Sequence, residues 1–225
     1  MPDLATKNQV AEFYENFQSR GKYDYFYGDE NRKNLYIQLI GKGNRMLEVA
    51  CRSGNLTQFY HEGNQVEGID VDRNALVEFE KRLKLKGYWV DVDSEDLPFD
   101  DGTFDVVVFS EVMEHLRFPQ KALCEIARVL RKNGTLIGSV PNAFRMRNRL
   151  KFLLGKPFES DPSHLRSYSD KTLTEELNKV FEKIQIHPIS GHLIGGGSTG
   201  FPVYEWLPYP IRNLFALDLV FVAEH

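Results

Sequence analysis

The chain has 225 residues, about one and a half times a typical domain, so one elaborated domain over 1–225 is expected rather than two independent cores. With 42% hydrophobic and 27% charged residues it has globular composition, which excludes a disordered, collagen-like or disulfide-scaffold protein. Its 28 basic and 32 acidic side chains leave a net charge of -4, which weighs against a nucleic-acid binder. Two cysteines, Cys51 and Cys124, supply neither a framework of bridges nor a CxxC or CxxH metal spacing, so a cytoplasmic protein is expected. The opening MPDLATKNQV lacks the basic and apolar regions of a signal peptide. The longest apolar stretch, Leu214 to Ala223, contains Asp218 and is far short of the about 20 residues that span a bilayer.

In chain order, two amphipathic segments, Leu4 to Gln18 and Glu30 to Ile40, flank the aromatic stretch Tyr23 to Gly28 and form an N-terminal helical cap over residues 1–44. From residue 45 to 140, β-branched apolar runs alternate with helical periodicity, the pattern of a parallel sheet with crossover helices. Strands are predicted near Arg45 to Ala50, Gln65 to Asp70, Tyr88 to Val92, Phe104 to Ser110 and Thr135 to Val140. Helices are predicted at Leu56 to His61, Arg73 to Lys86 and Pro119 to Arg131, the last closed by Asn133-Gly134 as a C-cap. Residues 141–181 read as an insert with a basic segment at Phe144 to Leu154 and a helix near Lys171 to Val180. Residues 182–225 add a strand near Glu182 to Pro188, a Pro- and Gly-rich loop through Gly195-Gly196-Gly197 to Pro210, and a last strand at Phe215 to Ala223. The fold class is α/β, a doubly wound sheet.

Ligands of open α/β sheets bind outside the carboxyl ends of the strands, and here those ends are acidic at even spacing. Glu48 closes the first strand, Asp70 the second 22 residues later, and Asp93 follows the third after another 23. Acids at strand ends also cap the next helix, but three in register suit a ligand with hydroxyl donors, above all a ribose.

The chain resembles a class I S-adenosylmethionine-dependent methyltransferase of the small-molecule, ubiquinone-biosynthesis-like kind, methyltransferase type 11. The likeness runs from about Arg45 to Val140 through LEVACRSG, GIDVD, DSEDLPFDDGTFDVVVFSEVMEHL and LRKNGTLIGSVPN. It implies a Rossmann-like sheet of seven strands, order 3-2-1-4-5-7-6, with the last strand antiparallel. It implies S-adenosylmethionine as cofactor, with Glu48 toward its amino-acid end and Asp70, followed by Val71, on the ribose. Asp93 and the Ser94 amide would meet the adenine, and Ser110 and Glu111 the methionine portion. Family members carry glycine where this chain has Ala50, Arg52 and Gly54; only Gly54 matches, and Arg52 brings a cation that can hold the cofactor carboxylate or weaken its binding.

His115, just past the fourth strand, is the candidate general base for a small-molecule acceptor, since imidazole titrates in the useful range. Its alternative use is packing in a short helix. Glu111, Glu114 and His115 form ExxEH, which on a helix places three ligands on one face, with His164 as a fourth; such a set suits a divalent metal. The pattern resembles metal-using ubiquinone-biosynthesis O-methyltransferases and small-RNA 2′-O-methyltransferases. Arg145, Arg147, Arg149 and Lys151, with Arg166 and Tyr168 nearby, read either as a solvated face or as a clamp for an anionic group on the acceptor. The function expected is methyl transfer to an oxygen or nitrogen of a small molecule. The alternatives are a catalytically inactive binding module of the same fold and a metal-dependent RNA 2′-O-methyltransferase. The GxGxxG of a nicotinamide dehydrogenase is absent.

Overall fold

The computed structural model describes residues 6–18, 30–157, 161–189, 192–194, 201–202 and 207–225. Helices α1 (Lys7–Gln18) and α2 (Glu30–Ile40) come first, followed by β1 (Arg45–Val49), β2 (Gln65–Asp70), α3 (Arg73–Leu83), β3 (Lys86–Trp89), β4 (Phe104–Ser110), α4 (Pro119–Val129) and β5 (Leu130–Pro141). Beyond them lie α5 (Met146–Leu153), α6 (Asp170–Leu177), β6 (Lys183–Ile189), a short antiparallel pair β7 (His192–Ile194) and β8 (Phe201–Pro202), α7 (Tyr209–Phe215) and β9 (Asp218–Glu224). The main sheet runs β3-β2-β1-β4-β5-β9-β6. Its first five strands pair in parallel, and β9 is antiparallel to both neighbours. This is the doubly wound Rossmann-like sheet, with the last strand of the chain reversed between β5 and β6.

Strands buried on both faces read as continuous apolar runs, and here helices cover both faces. On one, Leu47, Val49, Val107 and Phe109 meet α4 and α6 through Leu123, Ile126, Leu173 and Leu177. On the other, Met46, Val66, Val106 and Val108 meet Tyr36 and Ile40 of α2 and Leu56 and Tyr60 of the turn after β1. Phe79 and Leu76 of α3 close over Cys51.

Several sequence expectations are corrected locally. The helix expected at Leu56 to His61 is a single 3-10 turn, Thr57–Phe59, because Thr57 and Tyr60 turn inward to bind Glu48. The third strand ends at Trp89, since Asp91 then bends the chain by accepting the Ser94 and Glu95 amides on its carbonyl. Helix α4 stops at Val129: buried Leu130 takes extended backbone and pairs with Phe104, so Asn133-Gly134 lies in the irregular start of β5 instead of capping the helix. In place of a continuous loop up to Pro210 followed by a strand from Phe215, the chain forms the β7–β8 pair and α7, and β9 starts only at Asp218. Tyr23 to Gly28 and Gly195 to Gly197 lie outside the described residues.

The centre of the reversed pairing tolerates no added carbon. A Cβ on Gly138 of β5 would lie 2.2 Å from Phe221 Cζ, on its register partner in β9, and 2.5 Å from the Phe109 carbonyl oxygen. One obstacle is backbone and the other a fully buried ring, so neither yields cheaply. Gly138→Ala is expected to lower the unfolding free energy by about 3 kcal/mol, read as a lower urea midpoint at unchanged slope.

Candidate functional site

The chain leaves β1 through a tight loop in which Ala50, Arg52 and Gly54 have φ of 57°, 50° and 81°. Left-handed backbone costs an ordinary L-residue about 1–2 kcal/mol, so Ala50 and Arg52 hold glycine geometry against their own preference. Asp70 at the end of β2 holds them there. Its Oδ2 accepts the Arg52 amide at 2.8 Å and its Oδ1 accepts the Asp72 amide at 2.8 Å. Asp72 then caps α3 by accepting the Asn74 and Ala75 amides. Burial raises the Asp70 carboxyl to about 6, against the lowering effect of the two amides. A carboxylate offers about four lone-pair positions, so two remain for other donors. Val71 follows, its carbonyl accepting the Trp89 indole N–H at 2.9 Å.

The other strand-end acids are already engaged. Glu48 is buried and accepts bonds from the Thr57 hydroxyl and, at 2.5 Å, from the Tyr60 hydroxyl; burial raises its carboxyl to about 7. Asp93 accepts the Phe118 amide at 2.8 Å and Arg117 Nε at 2.9 Å, tying the loop after β3 to the start of α4. Ser94 donates its hydroxyl to Asp91 at 2.7 Å.

Ser110 ends β4, its hydroxyl 2.9 Å from that of Ser139 on β5. Glu111 then turns with φ of 56°, which swings its carboxylate back over the sheet to accept the Ser139 hydroxyl at 2.7 Å. There it meets Arg32 of α2 at 3.1 Å, and Arg32 also reaches Asp218 of β9 at 3.4 Å. Burial opposes the Arg32 charge, but Glu111 and Asp218 more than offset it, so the guanidinium stays ionised.

ExxEH therefore does not present one helical face. Only Met113–His115 is helical, as one 3-10 turn, and the left-handed Glu111 points elsewhere. The tertiary structure instead gathers Glu114, His115 and His164, with one ligand atom from each lying within 4.8 Å of the others. His115 Nδ1 donates to the Ser163 carbonyl at 3.2 Å, which makes Nε2 the nitrogen with a free lone pair. That nitrogen is 4.0 Å from Glu114 Oε1. Burial, then the neighbouring His164, lowers the His115 pKa, so the ring is neutral at pH 7. Glu114 is 1% exposed and neither carboxylate oxygen accepts a hydrogen bond. Burial, then Glu111, raises its carboxyl well above the usual range.

Tyr14, Arg32 and Asp161 carry no motif or spacing that marks them for the site; Asp161 accepts the Ser163 amide at 2.8 Å. Tyr14 projects from α1 over the site, its ring edge-on to His115 at 6.4 Å between centroids. Burial raises its phenol, and Asp70, Glu114, Asp161 and Asp91 raise it further. The amphipathic period of α1 was visible, but not which residue would face the strand ends. In the expected basic clamp, Arg166 is spent on the Leu116 and Arg117 carbonyls at 3.1 and 2.6 Å. Tyr168 is buried. Arg149 lines a separate cavity of about 270 Å³ with Asn142, Phe144, Asp170, Tyr209 and Asn213.

Replacing Arg32 leaves Glu111 and Asp218 without their shared cation. Arg32→Met is expected to cost about 3 kcal/mol of stability, measured by chemical denaturation, with partial recovery on adding Asp218→Asn.

Residues 47–138 match a methyltransferase domain family. The phthiotriol/phenolphthiotriol dimycocerosates methyltransferase 1 of Mycobacterium ulcerans is 35% identical over 160 residues, 68% of this chain and 55% of that protein. The chain thus spans about half the length of that relative. The ubiquinone/menaquinone biosynthesis C-methyltransferase of Azotobacter vinelandii is 27% identical over 208 residues, 84% of this chain and 79% of that protein. The crystal structure of a SAM-dependent methyltransferase from Archaeoglobus fulgidus shares the fold, with a TM-score of 0.67 at 18% identity, covering 95% of this chain and all of that one. Sheet order and the matched segment agree: residues 47–138 form a methyltransferase domain on a Rossmann-like sheet.

Proposed function

We propose that the chain transfers a methyl group from S-adenosylmethionine to a proton-bearing oxygen or nitrogen of a small-molecule acceptor, with His115 as general base. The observation that carries this reading is His115, whose Nδ1 donates to the Ser163 carbonyl at 3.2 Å and leaves Nε2 as the nitrogen with a free lone pair, on the edge of the sheet that also carries Asp70.

The residues fit that cofactor. Asp70 has acceptor positions left for two hydroxyls, and the loop through Ala50, Arg52 and Gly54 is held in the conformation that brings backbone close to a ligand. A Cβ at Gly54 would lie 2.4 Å from Leu83 Cδ1 and 3.2 Å from Phe79, so glycine there lets the loop pack directly on α3. Asp93 and Ser94 would meet the adenine, Ser110 and Glu111 the methionine portion with Glu48 toward its amino-acid end, and Arg52 would offer a cation to the carboxylate. The cofactor brings a methyl group on a sulfonium, open to in-line displacement. His115 takes the acceptor proton on Nε2, while the Ser163 carbonyl keeps Nδ1 protonated and the ring in place. The relatives named for phthiotriol and for ubiquinone and menaquinone support a small-molecule acceptor, and the net charge of -4 supports it over nucleic acid.

A second use of the same side chains is supported by Glu114, whose buried carboxyl accepts no hydrogen bond. One carboxylate and two imidazoles suit a divalent transition ion, and His115 already has the outer hydrogen bond that ligating histidines make. Glu114, His115 and His164 would hold the ion, with Glu111 left to Arg32.

Binding of the demethylated cofactor, measured calorimetrically, is expected to weaken at least tenfold in Asp70→Asn, the loss of a charged hydrogen-bond acceptor. Unchanged affinity in a folded variant would remove Asp70 from the site. Because burial raises the Asp70 carboxyl to about 6 and the hydroxyls need its ionised form, affinity is full above pH 7 and falls with acid. At pH 5 it is expected to be about tenfold weaker than at pH 7.5. Titrated Mn²⁺ or Zn²⁺ is expected to bind once per chain and to release a proton, so its affinity rises with pH. Glu114→Gln and His164→Ala should each abolish that binding.

A further inference from the structure

The molecule segregates its charge. The whole chain is at -4, yet the 13 residues from Phe144 to Lys156 contain Arg145, Arg147, Arg149, Lys151 and Lys156 and no acid. Most of this stretch is α5 and the turn that ends it. Asn148 faces inward, buried, with its amide donating to the Ala143 carbonyl at 3.0 Å. The far end of the helix does the reverse: Phe152, Leu153 and Leu154 are 71%, 78% and 70% exposed, and Leu150 is 52% exposed one turn earlier. Consecutive residues on a helix point about 100° apart, so three exposed apolar neighbours form a convex tip with no single buried face. Arg147, Arg149 and Lys156 are exposed along the same stretch, Arg149 donating from Nε to the Phe144 carbonyl at 2.6 Å.

We propose that this tip docks on the surface of an anionic lipid bilayer. A protein groove would take one face of the helix, whereas a fluid apolar layer accepts side chains on all sides of a protrusion. A phosphate-rich nucleic acid would use the cations but offers leucines no stacking surface, so it leaves the tip unexplained. Arg and Lys around an apolar end are what an interfacial segment needs: the apolar residues enter the acyl boundary and the cations stay among anionic headgroups. Among the described residues no helix is long and apolar enough to cross a membrane, so the contact is peripheral. The acidic remainder of the chain is repelled by the same surface, which fixes the tip as the point of approach. Helix α5 follows the carboxyl end of β5, the edge of the sheet that also carries His115 and Asp70, so docking there brings that edge near the lipid. This inference does not depend on the proposed reaction.

The test is flotation of the full chain with phosphatidylcholine vesicles, with or without about 30 mol% phosphatidylserine. Wild type is expected to float with the anionic vesicles at least tenfold more than with neutral ones, and to be released by about 0.5 M salt. Two variants, F152S/L153S/L154S and R147E/R149E, are each expected to lose at least nine tenths of the bound fraction with unchanged far-UV circular dichroism. Equal flotation of wild type with both vesicle types, absence of flotation, or flotation unaffected in both variants overturns the proposal. So does a tip that instead drives self-association, seen as a dimer by light scattering that F152S/L153S/L154S dissolves, or that binds homopolymeric RNA while ignoring the vesicles.

Discussion

The carboxylate of Asp70 is the point from which the functional edge of the sheet is built. It receives the Arg52 amide from the loop after β1 and the Asp72 amide from the start of α3, so one side chain sets two crossover connections. The first bond matters most, because the loop it holds contains two residues with a Cβ in left-handed backbone. Without a fixed acceptor the chain would relax Ala50 and Arg52 toward ordinary φ, and the close backbone approach after β1 would open. Glycine would have removed that strain from the local sequence. Here a tertiary hydrogen bond to a buried acid carries it instead.

Around that point the structure manages an unusual density of buried acids by giving each a different partner. Glu48 is met by two hydroxyls, Asp93 by an amide and a guanidinium, and Glu111 and Asp218 share Arg32. Glu114 alone among these accepts nothing on its side chain, while its backbone carbonyl is used twice, by the amides of Leu165 and Arg166. Those two bonds bring the segment after residue 161 against the turn after β4 and place His164 beside His115, with 4.8 Å between ring centroids. A buried carboxyl without donors is costly in a finished core. Here it lies beside two imidazoles, with one ligand atom from each of Glu114, His115 and His164 within 4.8 Å of the others.

The site draws on the additions as much as on the central sheet. Tyr14 comes from α1, Arg32 from α2 and Asp161 to His164 from the segment after α5. Lys7 of α1 lies 3.7 Å over the Trp89 ring and donates to the Trp89 carbonyl, while Arg73 lies 3.7 Å over the same indole, so α1 is pinned beside the end of β3. The chain thus closes its strand ends with elements far away in sequence at both ends.

The alternation of β-branched runs with helical periods and the even spacing of Glu48, Asp70 and Asp93 are legible from sequence, because each depends on local pattern, whereas the glycine-like positions after β1 are marked only by the family resemblance. The sheet order was legible through resemblance and not from pattern: the reversed β9 between β5 and β6 depends on long-range pairing around Gly138. The sequence also placed His115 and His164 among the candidates, but only folding could join them, since the two are brought together by the Glu114 carbonyl. Spacing grouped Glu111 with Glu114 and His115 on the assumption of a continuous helix. A positive φ at Glu111 broke that helix and sent the carboxylate to Arg32, a partner 79 positions earlier in the chain. The sequence by itself therefore determined the kind of sheet and the chemistry available at its edge. Which acids stay spare and which are consumed was decided by tertiary contacts, because a carboxylate's partners are set by distance in space and by burial, neither of which is written in local order.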